Sequence, residues 1–359
     1  MGYSFKTFEK IVMKYRQLGN SGLIVSELAL GTMTFGESGE GDHFGMKFTF
    51  DRKKATELVY KSIETGINFY DTADGYGNGQ SEKILGMALG NKRKDVLVST
   101  KICFRSGQQA FNAGINAKHL IEQCQNSLKN LNTDYIDVLL LHNDDPITPI
   151  DETLKTMEYL IQRGMVRYIG FSNYQAWKAG TMIQKQKDLN YHPFVASQMH
   201  YSILNREVER EFIPMTLYHG IGMMVWSPLS SGFLTGKYTR QNPQPEGARL
   251  NSSDLGLFDR EFGYQVVDKI TEIANNHNDT PTAVSIAWLL SKKVVSTVII
   301  GVSKIEQLEG NLAGAELKLS TEEIVVIDEL TKLTPKYPAT FIGSQDQQLL
   351  QAKNYKNIQ

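Results

Sequence analysis

Short apolar runs alternate with amphipathic stretches along most of the chain. Between these runs, apolar residues recur at helical spacings, as Cys124, Leu128 and Leu131 do, which predicts amphipathic helices. Alternating strands and helices indicate a parallel sheet. Eight such units without a reversal predict an α/β fold of the closed (β/α)8 TIM-barrel type. The eight runs with the length and composition of buried strands are 28–31, 67–70, 96–100, 136–141, 166–171, 193–198, 222–227 and 295–300.

The chain is predicted to form one folded domain with a segment at each end. Residues 13–27 predict an N-terminal β-hairpin that turns across 19–22. The predicted catalytic barrel spans 13–332, after an N-terminal extension of residues 1–12 and before a C-terminal tail of residues 333–359. No linker rich in Gly, Pro or Ser divides 13–332, so a second domain is not expected there.

Three connections are longer than those that usually join strands and helices. They are residues 36–50, 102–115 and 230–263, which follow the first, third and seventh predicted strands. Loops after barrel strands lie on the catalytic face, where long connections commonly shape a pocket. We therefore expect these three loops to determine substrate choice, although their sequences carry no pattern that names a substrate.

Composition narrows the class of protein. The 359 residues are 41% hydrophobic and 21% charged, with a formal net charge of −1, so no global field favours nucleic acid or an anionic membrane. Cys103 and Cys124 are the two cysteines and lie in different kinds of segment, which argues against a disulfide framework. No apolar run is long enough to span a bilayer, and the N-terminal residues lack a signal-peptide pattern. We expect a cytoplasmic protein without membrane partners.

Ionisable side chains stand at the ends of three successive predicted strands. Asp71 ends the second run and is followed on the loop by Tyr76, Lys101 ends the third run, and His142 ends the fourth. In a parallel barrel the carboxyl ends of the strands share one mouth. These four side chains are therefore predicted to meet despite their separation in sequence.

The four residue types suit proton transfer to a carbonyl oxygen. Tyr76 can give up its phenol proton, and a lysine cation nearby makes a tyrosine a stronger acid. Lys101 would supply that cation, with Asp71 holding it charged and in place. His142 can donate a hydrogen bond that orients and polarises the carbonyl. We predict these four residues to be catalytic.

A metal-dependent hydrolytic barrel is the alternative reading of the same region. The chain lacks an HxH pair on a strand and an HExxH segment, and Asp144 and Asp145 precede Pro146 in a turn. No metal is therefore predicted. The residues that could ligate one are Asp71, Asp74, His142, Asp144 and Asp145.

Carbonyl reduction needs an electron donor, and two loops have the composition of a nucleotide site. No GxGxxG follows an early strand, so a Rossmann fingerprint is absent. Barrels can bind phosphate at the loops after strands seven and eight instead. Here those loops are the serine-rich 227–232, followed by Lys237, and the glycine-serine segment 301–304. Trp226 precedes the first loop and can stack on a nicotinamide ring.

Eight segments together resemble the aldo-keto reductase superfamily across residues 13–332. The resemblance implies a (β/α)8 barrel that binds NADPH across its mouth and transfers a hydride reversibly between the nicotinamide and an aldehyde or ketone carbonyl, including sugar-derived ones. The segments are GTMTFG (31–36), NFYDTADGYGNGQSE (68–82), STK (99–101), DVLLLHNDDP (137–146), GFSNY (170–174), SQMHYS (197–202), WSPLSSGFLTGKY (226–238) and VIIGVSKIEQLEGNL (298–312).

The resemblance also assigns roles to individual residues. The catalytic four correspond to Asp71, Tyr76, Lys101 and His142, and the stacking aromatic corresponds to Trp226. By the same resemblance, the nicotinamide carboxamide is held by Ser172, Asn173 and Gln198, and the adenosine and 2′-phosphate segment is 301–311. Many members carry an arginine where Gln307 stands, so NADP is expected with NAD as the alternative. The positions that match cofactor contacts are Gly31, Thr32, Met33, Asp71, Ser172, Asn173, Gln198, Trp226, Ser227, Pro228, Leu229, Ser231, Lys237, Arg249, Gly301, Ser303, Lys304, Gln307 and Asn311.

The same region resembles the β subunits of voltage-gated potassium channels. This resemblance gives an alternative function, an NADP-binding regulatory subunit with little turnover. In that branch the histidine position is commonly asparagine, so His142 favours an enzyme acting on a small carbonyl or alcohol substrate. A barrel scaffold without a cofactor is a third alternative, and it conflicts with the two phosphate loops. The oligomeric state, the substrate and the reaction direction stay open.

Overall fold

The computed structural model describes residues 13–37, 49–246, 256 and 258–341. Its strands are β1 (Tyr15–Gln17), β2 (Ile24–Ser26), β3 (Leu28–Gly31), β4 (Phe69–Asp71), β5 (Leu97–Ile102), β6 (Ile136–Leu141), β7 (Val166–Ser172), β8 (Phe194–His200), β9 (Gly222–Trp226) and β10 (Val295–Ile300). The last eight are parallel and close into a barrel in the order β10-β3-β4-β5-β6-β7-β8-β9. The predicted TIM barrel and each of its eight strands are confirmed.

Helices follow the barrel strands and cover the outside of the sheet. They are α1 (Arg52–Glu64), α2 (Gln80–Leu89), α3 (Ala117–Leu131), α4 (Ile150–Gln162), α5 (Ala176–Asp188), α6 (Phe212–His219), α7 (Arg260–Asn276), α8 (Pro281–Leu290), α9 (Glu306–Glu316) and α10 (Thr321–Leu330). Polar caps fix several of their starts. The Asn116 side chain accepts a hydrogen bond from the His119 amide at the start of α3, and Ser320 with Glu323 forms a capping box at α10.

The N-terminal hairpin closes the amino end of the barrel. Strands β1 and β2 pair antiparallel, as predicted. Arg16 fixes the hairpin to the barrel, since its guanidinium donates to the carbonyls of Val295 (2.8 Å) and Leu290 (2.7 Å). The turn passes so close to β8 that a Cβ on Gly19, whose φ is +57°, would lie 2.5 Å from the Val195 carbonyl oxygen. The apolar lower barrel is thereby shielded from water.

The sixth predicted strand is longer than expected. It was predicted over 193–198, but β8 continues to His200 because Met199 and His200 still pair with Val225 and Trp226 of β9. The predicted strand stopped at Gln198, but pairing with β9 brings Met199 and the polar His200 into the sheet as well. This extension places His200 beside the end of β9.

The long connections differ in how much structure they contain. Residues 103–116 between β5 and α3 are irregular, whereas the connection after β9 contains 3₁₀ turns within Ser230–Thr235 that a kink at Ser231 and Gly232 interrupts. Parts of the predicted segments lie outside the described residues: 1–12, 38–48, 247–255, 257 and 342–359. None of the helices within the described ranges has both the length and the apolar character needed to cross a bilayer.

Candidate active site

Three adjacent barrel strands bring the predicted catalytic side chains to one rim. Asp71 is the last residue of β4, and Lys101 is the penultimate residue of β5. His142 directly follows β6, and its backbone amide donates to the Ile102 carbonyl oxygen at 3.0 Å. Tyr76 lies on the short connection from β4 to α2. Because β4, β5 and β6 are neighbours in the barrel, the four side chains face the same mouth.

Lys101 is at the centre of this group and is fully buried. Its ammonium nitrogen lies 2.7 Å from Asp71 Oδ2, 2.6 Å from the Thr72 carbonyl oxygen and 3.4 Å from the Tyr76 hydroxyl. Burial disfavours the ammonium charge, but Asp71 and then Tyr76 outweigh burial, so the pKa of Lys101 is raised. The lysine therefore stays charged beside the phenol.

His142 presents a neutral imidazole to the same space. Burial, followed by the charge of Lys101, holds its pKa well below the ordinary value of 6.5. The ring stands edge-on to Tyr76, with centroids 5.8 Å apart, and to Phe104, with centroids 4.5 Å apart. Its buried Nδ1 has no hydrogen-bond partner among the described residues. An orphaned buried nitrogen beside a phenol is an arrangement that a bound polar molecule can complete.

The residues predicted to hold a nicotinamide carboxamide connect directly to this group. Asn173 Nδ2 donates to the His142 carbonyl oxygen at 3.1 Å, and Asn173 Oδ1 accepts from Trp226 Nε1 at 3.1 Å. Ser172 donates its hydroxyl proton to the Gln198 carbonyl oxygen at 2.8 Å. These contacts place the ends of β6, β7, β8 and β9 in one hydrogen-bonded array.

Trp226 has one face covered. The imidazole of His200 stacks on the indole with centroids 4.5 Å apart and an interplanar angle of 26°. Burial lowers the pKa of His200 to about 4, so this imidazole is neutral around neutral pH. His200 was not among the predicted site residues. It could have been found from strand alternation, because residues 198 and 200 lie on the same face of β8.

The loop after β9 has an unusual backbone. Ser227, Ser230 and Ser231 have φ values of 53°, 48° and 55°, and Gly232 follows with φ of 88°. Left-handed serines cost of order 1 kcal/mol each and concentrate at functional sites. A Cβ on Gly232 would lie 3.1 Å from the Lys237 ammonium nitrogen, so this lysine approaches the loop backbone closely. Of the other two predicted contacts, Pro228 is buried and Leu229 is half-buried.

The predicted adenosine segment lies after β10, at the start of α9. Gln307 Oε1 accepts from the Ser303 amide at 2.7 Å and from the Ser303 hydroxyl at 3.1 Å. Gln307 thus holds the 301–304 turn together. Lys304 is exposed beside this turn, Asn311 is buried, and Gly301 is exposed. The predicted contact Arg249 lies outside the described residues.

The end of β3 joins the predicted cofactor residues to Asp71. Thr32 is buried, and its amide donates to the Asp71 carbonyl oxygen at 2.9 Å. Gly31 has little space above it, because a Cβ there would lie 2.9 Å from Ile299 Cγ2. Met33 is half-buried at the same rim.

Most of the carboxylates named as possible metal ligands already bind other groups of the protein. Asp144 pairs with Lys178 at 2.5 Å, and Asp145 accepts the amides of Ile115 and Ile147. Within the described ranges, no three or more His, Cys, Asp or Glu side chains are grouped so that they could hold an ion. Asp74 differs from these residues, since neither of its buried carboxyl oxygens has a partner with hydrogen-bond geometry in the described structure.

The chain belongs to the Aldo/keto reductase family, whose model matches residues 27–332. It is therefore an NAD(P)-dependent oxidoreductase with a TIM barrel, in a family that generally uses NAD(P)H. This membership confirms the predicted family and enzyme class.

Several curated proteins are similar over almost the whole chain. A "Probable voltage-gated potassium channel subunit beta" from Oryza sativa subsp. japonica is 34% identical over 334 residues, covering 90% of this chain and 98% of that protein. A "Putative voltage-gated potassium channel subunit beta" from Schizosaccharomyces pombe is 35% identical, covering 91% and 96%. An "Aldo-keto reductase AFTS1" from Alternaria alternata is 33% identical, covering 86% and 89%.

Proposed function

We propose that this protein is an NADPH-dependent reductase that acts reversibly on aldehyde or ketone carbonyls, including sugar-derived ones. One observation carries the proposal: the buried Lys101 ammonium binds Asp71 and also lies 3.4 Å from the Tyr76 hydroxyl. A charged lysine at that distance stabilises the phenolate that remains after the phenol gives up its proton. Such a phenol is suited to protonating a developing alkoxide.

Each of the four side chains has a distinct part in the proposed reaction. A bound nicotinamide would supply the hydride to the carbonyl carbon. Tyr76 protonates the carbonyl oxygen, and in the reverse direction its phenolate removes the proton from the alcohol. Lys101 stabilises that phenolate, and Asp71 keeps Lys101 in place. The neutral His142 donates a hydrogen bond that orients the carbonyl oxygen beside Tyr76.

The described residues fit a nicotinamide dinucleotide in three respects. The orphaned His142 Nδ1 and the half-buried indole of Trp226 lie next to Ser172, Asn173 and Gln198, which would hold the nicotinamide carboxamide. The 227–232 loop contains left-handed residues, as anion-binding loops do, and Lys237 lies close to its backbone. Lys304 supplies an exposed cation for a 2′-phosphate, while Gln307 is occupied by Ser303. These features support NADP, with NAD as the weaker alternative.

A regulatory channel subunit is the second candidate function. It is favoured by the relatives from Oryza sativa and Schizosaccharomyces pombe, whose names describe channel β subunits. The imidazole of His142 argues for the enzyme, because it adds a hydrogen-bond donor directly beside Tyr76. The two candidates differ in turnover rather than in cofactor binding.

A substrate panel tests the proposal. Aldehydes, ketones and sugar alcohols would be incubated with the protein and either cofactor, and oxidation or reduction followed at the nicotinamide absorbance. Tryptophan fluorescence would report cofactor binding in the same samples. We expect carbonyl-dependent oxidation of NADPH, faster than that of NADH. Quenching by NADPH without turnover on any substrate would favour the channel subunit, and no quenching would contradict both candidates.

A further inference from the structure

The two carboxylate oxygens of Asp71 have different partners. Oδ2 accepts from the Lys101 ammonium at 2.7 Å. Oδ1 accepts from the Ser99 hydroxyl at 2.7 Å and from Gln198 Nε2 at 2.8 Å. Ser99, Lys101 and Gln198 are all almost fully buried, so water does not compete for these contacts. The orientation of Asp71 is therefore set by three donors on two different strands, β5 and β8.

Gln198 joins this carboxylate to a second part of the site. It lies on β8, 127 residues away from Asp71 along the chain. Its own carbonyl oxygen accepts from Ser172, and its strand neighbour in β7 is Ser172 as well. One end of the Gln198 side chain thus contacts the acid beside Lys101, and its backbone lies among the residues proposed to hold the nicotinamide carboxamide.

We propose that Ser99 and Gln198 are positioning residues for Asp71, and that Gln198 also transmits occupancy of the carboxamide pocket to the Tyr76 proton donor. The transmission by Gln198 rests on the proposed function. The positioning of Asp71 does not, because it concerns contacts that exist in the protein without a cofactor. Neither residue needs to touch the reacting carbonyl.

The positioning effect follows from which donors bind each oxygen of the Asp71 carboxylate. Two donors on Oδ1 hold the carboxylate in one rotamer and take up part of its charge. Removing either donor leaves Oδ1 partly unsatisfied in a buried site, and Asp71 then compensates the Lys101 charge more completely. Less of that positive charge is left to stabilise a phenolate at Tyr76. The phenol should therefore ionise at a higher pH.

The transmission effect follows from the polarisability of an amide. When the oxygen of an amide side chain accepts a hydrogen bond, its N–H becomes a stronger donor, because bonds in a chain polarise one another. A carboxamide that binds Gln198 in this way strengthens the contact from Gln198 to Asp71. The cofactor would then shift the ionisation of Tyr76 to lower pH, so that proton transfer is favoured when the cofactor is present.

The test measures the pH at which Tyr76 ionises. The full-length protein would be labelled with ¹³Cζ-tyrosine and titrated by NMR, with Tyr76→Phe used to assign the signal among the 16 tyrosines. Titrations would be run without nucleotide and with saturating NADPH. The reduced nicotinamide ring carries no charge, so a direct charge effect of that ring on Tyr76 is avoided.

Two substitutions separate the two halves of the proposal. Ser99→Ala should raise the ionisation pH of Tyr76 by about half a unit with and without NADPH, as expected when one hydrogen bond to a charged group is lost. Gln198→Leu should raise it similarly and also abolish the difference that NADPH makes. Ser197→Ala is the matched control, since its buried hydroxyl lies on β8 and bonds to the Gly222 carbonyl rather than to Asp71.

Specific results would overturn each half. An unchanged Tyr76 titration in Ser99→Ala would contradict positioning, and a full NADPH effect in Gln198→Leu would contradict transmission. If Gln198→Leu does not fold, Gln198→Met gives the same comparison with a flexible apolar side chain. If the parent protein neither binds NADPH nor turns over carbonyls, the proposed function fails, while the Ser99 titration without nucleotide is still decisive for positioning.

Discussion

Two buried ion pairs in this barrel have similar geometry and different surroundings. Near the amino end of the strands, Arg93 pairs with Asp137 at 2.7 Å, and near the carboxyl end Lys101 pairs with Asp71 at the same distance. The other hydrogen-bond partners of Arg93 and Asp137 are backbone groups, namely the carbonyls of Val96 and Tyr135 and the amide of Val98. The Arg93 guanidinium also lies over the Tyr135 ring, 4.5 Å from its centroid. The partners around Lys101 and Asp71 include a phenol and two further side chains.

The contacts of each cation distinguish an ion pair that stabilises the fold from one that takes part in the proposed reaction. The Arg93–Asp137 pair ties the segment before β5 to the start of β6, and the Arg93 charge contacts the face of the Tyr135 ring rather than a phenol hydroxyl. Burial raises the pKa of Asp137, and Arg93 is the largest influence opposing that rise. The Lys101 ammonium instead reaches beyond its carboxylate to Tyr76. Burial and ion pairing alone therefore do not identify the site, whereas the contact between the Lys101 ammonium and the Tyr76 hydroxyl does.

Substitution of each cation is the strongest way to test this comparison. Lys101→Met should lower turnover by about 10²–10⁴-fold, because the phenolate of Tyr76 loses its stabilising charge. Cofactor affinity, followed by tryptophan fluorescence, should stay within about twofold. The control is Lys83→Met, an exposed lysine on α2 that should leave turnover unchanged. A Lys101→Met rate close to that of the parent would remove the distinction between the pairs.

Arg93→Met should have the opposite profile. Leaving Asp137 buried without its cation is expected to lower the free energy of unfolding by about 3 kcal/mol. Turnover per folded molecule should be that of the parent, because the pair lies near the amino end of the strands, away from the residues proposed to react. Urea denaturation and a rate measurement at low temperature would check both. A large loss of turnover at unchanged stability would show that this pair is also functional.

Much of this account was predictable from sequence periodicity. The eight apolar runs and the hairpin were each found, because a buried parallel strand needs a short continuous apolar segment. Asp71, Lys101 and His142 could be placed at one mouth from their positions at strand ends. Contacts across the barrel could not be predicted in this way. The Gln198 contact to Asp71 spans 127 residues and depends on strand register.

Ser99 shows how a further contact could have been found. Residues two apart in a strand face the same side, so Ser99 and Lys101 both point toward Asp71, while Thr100 points away and bonds to Glu82. The burial of Asp74 had no such signal, since an aspartate after a strand is ordinarily solvated. Its environment depends on packing between the β4 connection and neighbouring elements.

Asp74→Asn should stabilise the protein at neutral pH. Burial, with added repulsion from Glu82, raises the pKa of Asp74 well above its ordinary value of 3.8. The unfolded chain therefore ionises before the folded chain as the pH rises, which costs stability above about pH 4. The amide removes this cost.

We expect Asp74→Asn to gain about 1 kcal/mol in the free energy of unfolding at pH 7, and nothing near pH 4. Urea denaturation at the two pH values measures this difference. Asp134→Asn, at an exposed position, is the control and should change neither value. A loss of stability at pH 7 in Asp74→Asn would mean that the carboxylate is satisfied when ionised.

The smallest expected effect is that of His142 on the pH profile. Because its pKa is well below 6.5, His142 is neutral throughout the range from about pH 6 to 8 and should contribute no step in turnover there. The pH dependence of kcat for the parent and for His142→Asn tests this expectation. A step centred near 6.5 that disappears in His142→Asn would contradict a neutral imidazole.

Tyr76→Phe separates proton donation from cofactor binding in a single variant. The substitution removes only the phenol oxygen, so NADPH should still quench tryptophan fluorescence with the affinity of the parent. Carbonyl-dependent oxidation of NADPH, measured on the same sample, should fall by at least about 100-fold. Turnover equal to that of the parent, with the same affinity for NADPH, would contradict the assignment of Tyr76 as the proton donor.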